Sequence, residues 1–145
     1  SCSVGNGIYL FDLATDSLSH RTFPHELVPP QKNGKVNNIV HSEKEFEEEL
    51  KKLNTQISYW EFHWDDKSQR FFRFASKAKN IPEELNESKF DIYLIAYDRD
   101  LHLIGESLVS ELSALPINPF FKDGKLWSYV NVEDELGFAV MEFKF

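Results

Sequence analysis

The chain has 145 residues, which fits one domain that is large enough to bury a core. It carries 24 acidic against 16 basic residues, and a surface with a net charge of −8 repels nucleic acid and anionic lipid. Aromatic residues make up 14% of the chain, which excludes a disordered composition and favours half-buried strands. We therefore expect a folded, β-rich protein with no nucleic-acid partner.

Short apolar runs bounded by turn residues predict β-hairpins along most of the chain. The predicted strands cover 8–11, 18–23, 57–64, 70–74, 90–97, 101–104, 120–121, 126–130 and 137–145. The segments between them at 24–41, 77–89 and 107–119 contain prolines and are predicted as connections. The fold class predicted from this pattern is all-β with antiparallel hairpins.

One helix interrupts the strands near 43–53. Ser42 and Glu45 have the spacing of a capping box, which marks a helix start. Phe46, Leu50 and Leu53 then recur at helical spacing between acids and lysines. This pattern predicts a helix that exposes a charged face and buries a thin apolar stripe.

Apolar spacing also predicts which strand positions face the core. The run 90–97 is almost wholly apolar and is expected to be buried on both faces. Phe72 and Phe74 are expected to share one face of their strand, because side chains two residues apart point the same way. In the last strand, we expect Phe138, Val140 and either Phe143 or Phe145 to point into the core.

Two kinds of hairpin recur along the chain, which indicates an internal repeat. Residues 8–18 and 94–103 each contain an apolar strand that ends in an aromatic residue followed by Asp, at an offset of 86. Residues 62–72 and 120–127 each have an Asp turn followed by an aromatic return strand. Alternating hairpins of this kind are typical of four-stranded propeller blades.

The segments that carry these hairpins resemble the C-terminal part of a family of envelope proteins from Bacteroidetes. The likeness rests on Trp64-Asp65, Arg70–Phe74, Tyr97-Asp98 and Asp123–Trp127, and covers most of residues 55–145. That family has no assigned function and is described as six-bladed β-propellers, often lipid-anchored. The resemblance implies a bacterial envelope, periplasmic or extracellular location and carries over no catalytic residue.

Length sets this chain apart from that family. Residues 1–145 would form a single β domain of about two blades or an open sheet or sandwich, which predicts a fragment of a longer β-propeller. A start at Ser rather than Met agrees with this expectation. Unclosed blades expose sheet edges, so we expect a homo-oligomer as one way in which those edges are paired.

Three tryptophans are the candidate ligand contacts. Trp60, Trp64 and Trp127 lie on predicted strands, where aromatic side chains either pack in the core or form a stacking platform. Core packing is the commoner use of such residues, so their exposure decides between the two roles.

Acidic residues supply the alternatives. Asp65, Asp66, Asp98 and Asp100 fall in predicted hairpin turns, where Asp is favoured because it bonds its own backbone. The same oxygens are candidate calcium ligands of a lipid- or protein-binding β-sandwich. Facing pairs of carboxylates would instead serve a glycan-active hydrolase.

Metal, nucleophile and membrane signals are missing from the sequence. The five histidines show no metal-ligand spacing, the single cysteine excludes an internal disulfide, and no nucleophile motif is present. No apolar run is long enough to insert in a membrane. The sequence therefore predicts a non-catalytic binding module that needs no cofactor and binds a protein or small ligand.

Overall fold

Antiparallel β-sheet dominates the computed structural model, which describes residues 2–79 and 89–145. The strands are β1 (Ile8–Asp12), β2 (Ser17–Arg21), β3 (Ser58–Asp65), β4 (Arg70–Ala78), β5 (Phe90–Tyr97), β6 (Leu103–Leu108), β7 (Ile117–Lys122), β8 (Lys125–Val132) and β9 (Glu135–Met141). One helix, α1, spans Glu43–Asn54. The predicted all-β class with one helix is confirmed, and the connection predicted at 77–89 lies mostly outside the described residues.

The described strands form three separate sheets and no closed barrel. The first sheet pairs β1 with β2, the middle sheet has the order β3-β4-β5-β6, and the third sheet has the order β7-β8-β9. Every neighbouring pair is antiparallel and consecutive in the chain, so the first sheet is a hairpin and the other two are meanders. The predicted connection at 107–119 is shorter than expected, because β6 extends to Leu108 and β7 begins at Ile117.

The middle sheet lies between the other two and is apolar on both faces. One face, which includes Ala75 and Ile95, packs against Ile8 of the first sheet. The opposite face, which includes Phe72 and Leu94, packs against Leu126 of the third sheet. β5 is buried on both faces, as its continuous apolar run predicts.

Hairpin turns explain the positions of several acids. The carboxylate of Asp12 accepts the backbone N–H groups of Ala14 and Thr15, and that of Asp65 accepts those of Lys67 and Ser68. Asp98 accepts from the backbone N–H groups of Asp100 and His102 in the same way. These local bonds fix the turns and so set the register of the strands on either side.

The β7–β8 turn is a two-residue turn with both central residues at positive φ, 56° at Asp123 and 76° at Gly124. This is the backbone that an Asp-Gly pair predicts for a tight hairpin.

Helix α1 has the predicted start but not the predicted burial. Ser42 caps it by accepting the backbone N–H of Glu45. No residue of the helix is buried, and Phe46 and Leu50 are 55% and 42% exposed. The expected buried stripe is therefore wrong, because no described element covers that face of the helix.

A buried arginine ties the N-terminal segment to the middle sheet. The Arg73 side chain on β4 is fully buried and donates to the carbonyl oxygens of Trp60 and Asn6 at 2.7 Å and of Cys2 at 3.3 Å. Its guanidinium lies 4.8 Å from the ring centre of Tyr59 and 4.9 Å from that of Phe62. Burial lowers the pKa of Arg73, and these carbonyls and rings stabilise its charge.

Candidate binding surface

The third sheet has one apolar face that no described residue covers. Tyr129 and Trp127 on β8 point to this face, and they pair with Phe138 and Val140 on β9. Phe138 and Val140 are 47% and 45% exposed. The expectation that these two residues point into the core is therefore wrong, because Leu126 and Met141, one position away from them in register, take the covered face.

Four aromatic rings on this face form a contiguous cluster, which we call the aromatic surface: Phe120, Trp127, Tyr129 and Phe138. Phe138 is at its centre, with ring centroids 4.8 Å from Tyr129, 5.8 Å from Trp127 and 6.1 Å from Phe120. The Trp127 indole N–H donates to the Lys122 carbonyl at 3.3 Å, which fixes its ring. Rigid aromatic groups held in this way are typical of interaction surfaces, because little entropy is lost when they are covered.

The other two candidate tryptophans lie elsewhere, on β3. Trp60 is 44% exposed and donates its indole N–H to Ser76 at 3.0 Å. Trp64 is half-buried and packs on Phe71 at a centroid distance of 4.6 Å. The three tryptophans therefore do not form one platform, and only Trp127 belongs to the aromatic surface.

Phe120, Tyr129 and Phe138 were not among the candidate residues from sequence. The sequence signal for them is spacing: Trp127 and Tyr129 are two positions apart on one strand, and so are Phe138 and Val140. Side chains at this spacing share one face of the strand. Alternation does not say which face of a sheet is covered, so the sequence alone left the surface unassigned.

The four acidic candidates divide between two turns. Asp65 is buried in the β3–β4 turn, while the Asp66 carboxylate accepts the Gln69 side-chain amide. In the β5–β6 turn, ligand atoms of Asp98, Asp100 and His102 lie within 4.8 Å of one another. The Asp98 carboxylate already bonds the two backbone N–H groups of its turn and the His102 ring nitrogen, and these bonds lower the pKa of Asp98.

A cleft of about 430 Å³ holds two of the remaining acids. It lies between the segment 107–112 and the segment 141–145, and Glu111 and Glu142 are among its lining residues. Both glutamates are exposed. A glycosidase needs one of its two carboxyl groups held away from water as an acid, and exposure works against that role.

A buried polar network joins His25 to two tyrosines beside Arg73. Tyr59 donates its only hydroxyl hydrogen to the Pro29 carbonyl at 2.6 Å, so His25 donates from Nδ1 to the Tyr59 oxygen at 3.1 Å. His25 Nε2 then accepts the Tyr97 hydroxyl at 2.8 Å. Burial, with a smaller effect of Arg73, lowers the pKa of His25 to about 4, and burial raises the pKa of both tyrosines.

That network is structural in character. Each of its bonds connects groups of the chain itself, and every buried side-chain nitrogen and oxygen of the described residues has a partner. It holds the 25–30 segment on the middle sheet, where Glu106 also accepts the backbone N–H groups of Glu26 and Leu27.

Comparison with known proteins gives a family and a related structure. The family model described as a domain of unknown function, DUF4221, matches residues 1–108. A crystal structure of a DUF4221 member from Bacteroides vulgatus at 1.75 Å resolution superposes with a TM-score of 0.64 at 16% identity. The match covers 97% of this chain and 41% of that chain, so this chain spans less than half of its relative. None of the curated proteins matches.

Proposed function

We propose that this chain, which belongs to the DUF4221 family of unknown function, is a non-catalytic protein-binding module whose contact is the aromatic surface. The observation that carries the proposal is the exposure of Phe138 at the centre of four clustered rings. Exposed aromatic patches of this kind mark sites where a protein is covered by a partner. A small polar ligand would instead need a concave site with convergent polar groups.

We also propose a wider architecture and a cellular location for the protein. The three sheets would be about two blades of a longer β-propeller of the bacterial envelope. Two observations support the propeller architecture. The strands of each sheet are antiparallel and consecutive in the chain, and the related structure is more than twice as long as this chain. Among the described residues, no helix has the length and apolarity to cross a membrane.

An apolar fluorescent dye tests the aromatic surface directly. We expect the native chain, diluted to about 1 μM so that copies are apart, to bind an anilinonaphthalene dye. Phe138→Lys, which places a charge at the centre of the surface, is expected to lower the dye fluorescence more than Phe46→Lys does. Phe46→Lys is the matched control, because Phe46 is 55% exposed on α1. A native chain that binds no dye, or a Phe138→Lys chain that binds it fully, would contradict the proposal.

A calcium-binding role is the second candidate, and the convergence of Asp98, Asp100 and His102 is the observation that favours it. Titration calorimetry with CaCl₂ separates it from the first. The protein-binding role predicts that CaCl₂ releases no heat of binding and does not change the melting temperature of the chain. Heat that disappears in Asp98→Asn would favour the second. The hydrolase alternative rests on Glu111 and Glu142 alone and stays a prediction.

A further inference from the structure

Two of the six glycines directly follow an asparagine, in the pairs Asn6-Gly7 and Asn33-Gly34. In such a pair the glycine nitrogen can attack the side-chain amide carbon of the asparagine, because glycine has no Cβ to hinder the approach. The glycine nitrogen gives up its proton, the new C–N bond closes a succinimide ring, and the amide nitrogen leaves with that proton as ammonia. Water then opens the ring to aspartate or isoaspartate. The reaction needs no other reactant, which makes asparagine a thermolabile residue.

The fold locks the first of these pairs. Asn6 is 2% exposed, and its side-chain nitrogen donates to the Phe23 carbonyl at 2.6 Å. Its backbone is also held, since its N–H bonds the Pro30 carbonyl at 2.8 Å and its carbonyl accepts from Arg73 at 2.7 Å. Ring closure at Asn6 would break the buried bond of its side chain, which is costly. Asn6 can therefore react only when the N-terminal segment leaves the middle sheet.

The second pair lies on the surface, in the connection between β2 and α1. Both Asn33 and Gly34 are exposed. The side chain of Gln56, just beyond the end of α1, bonds both backbone polar groups of Gly34, and we call this the clamp. Its Oε1 accepts the Gly34 N–H at 2.9 Å, and its Nε2 donates to the Gly34 carbonyl at 3.4 Å. A Cβ at position 34 would lie 2.5 Å from Gln56 Nε2, so a larger residue would displace the clamp.

We propose that Asn33 is a modification site at which the folded chain deamidates, and that the clamp controls the rate. While Gln56 Oε1 holds the Gly34 N–H, the glycine nitrogen keeps its proton and cannot turn toward the Asn33 side chain. Hydrogen bonds at the surface open readily, because water replaces the lost partner. Each opening of the clamp therefore frees the attacking nitrogen.

The modification changes the charge of the connection and is independent of the aromatic surface. It places a carboxylate beside Lys32 and makes the net charge one unit more negative than −8. Hydrolysis of the ring does not reverse in water, so the modified fraction is expected to rise with the age of the protein. The proposed function neither supports this chemistry nor depends on it.

Peptide mass spectrometry after incubation at mildly alkaline pH measures the reaction at each asparagine, because the exchange of ammonia for water changes the mass. In the native chain we expect Asn33 to convert while Asn6 stays intact. In guanidinium chloride, where the fold no longer distinguishes the two pairs, both are expected to convert. The proposal is overturned by a native chain that keeps Asn33 intact while the unfolded chain converts it. Equal conversion of Asn6 and Asn33 in the native chain would also overturn it.

Gln56→Ala tests the clamp, because it removes both bonds to Gly34. We expect conversion at Asn33 to be faster by about 2- to 10-fold, the factor that corresponds to one net hydrogen bond. Thr55→Ala is the matched control. Each of the two substitutions removes one bond to the Lys52 carbonyl at the end of α1, but the Thr55 bond does not involve Gly34. Equal rates at Asn33 in the two variants would overturn control by the clamp.

Discussion

Replacing Arg73 with Met tests whether this buried cation fastens the N-terminal segment. The substitution keeps most of the side-chain volume and removes three hydrogen bonds to carbonyl oxygens, two of them at 2.7 Å. Leaving a buried acceptor unpaired costs about 1–3 kcal/mol. Removing the buried charge recovers part of its desolvation penalty. We therefore expect the free energy of unfolding to fall by about 2–4 kcal/mol, a large part of the ~5–15 kcal/mol of a domain.

Urea unfolding followed by tryptophan fluorescence measures this loss, and amide exchange locates it. Exchange of the Asn6 N–H, which bonds the Pro30 carbonyl at 2.8 Å, is expected to accelerate in Arg73→Met. Arg70→Met is the matched control on the same strand, because among the described residues the Arg70 side chain makes a single bond, of 3.4 Å, to the Phe145 carbonyl. An Arg73→Met chain no less stable than Arg70→Met would refute the reasoning.

Two further predictions concern His25 and Asp65. The folded pKa of His25, about 4, lies below the unfolded value of 6.5, so the unfolded chain takes up the proton first and stability falls as pH drops from 6.5 to 4. Full burial would make this loss about 3 kcal/mol. His25 is part-exposed, with Arg73, Tyr59 and Tyr97 against it, and screening reduces the loss to about 1–2 kcal/mol. Urea unfolding at several pH values is expected to show this slope in the native chain and in His41→Gln. In His25→Gln the slope is expected to be shallower, and the remainder comes in part from His63, whose pKa burial also lowers; an unchanged slope in His25→Gln contradicts it. Asp65→Ala removes the acceptor of two backbone N–H groups and is expected to cost about 1–2 kcal/mol by the same measurement, with Asp65→Asn costing less; equal stability of Asp65→Ala and the native chain counts against it.

Turn chemistry is the part of this fold that the sequence predicts best. Asp12, Asp65 and Asp98 bond their own backbones, so their effect depends on neighbours in the chain. The capping box at Ser42 predicts the start of α1 for the same reason.

Burial is harder to predict, because it depends on which sheet covers which. Alternation correctly groups Phe138 with Val140, yet the covered face of their sheet is the one with Leu126. The amphipathic pattern of α1 likewise predicts a stripe without supplying anything to cover Phe46. The Arg73 network was missed although a charged residue inside an aromatic strand is a signal in itself, because its acceptor Asn6 lies 67 residues away.

The emission wavelength of Trp127 tests the central claim most directly. In a chain with Trp60→Phe and Trp64→Phe, Trp127 is the only remaining tryptophan. An aromatic surface that is open to solvent predicts long-wavelength emission of Trp127 in dilute solution. Blue emission already at the lowest concentration, with light scattering at the monomer mass, would contradict an exposed binding surface.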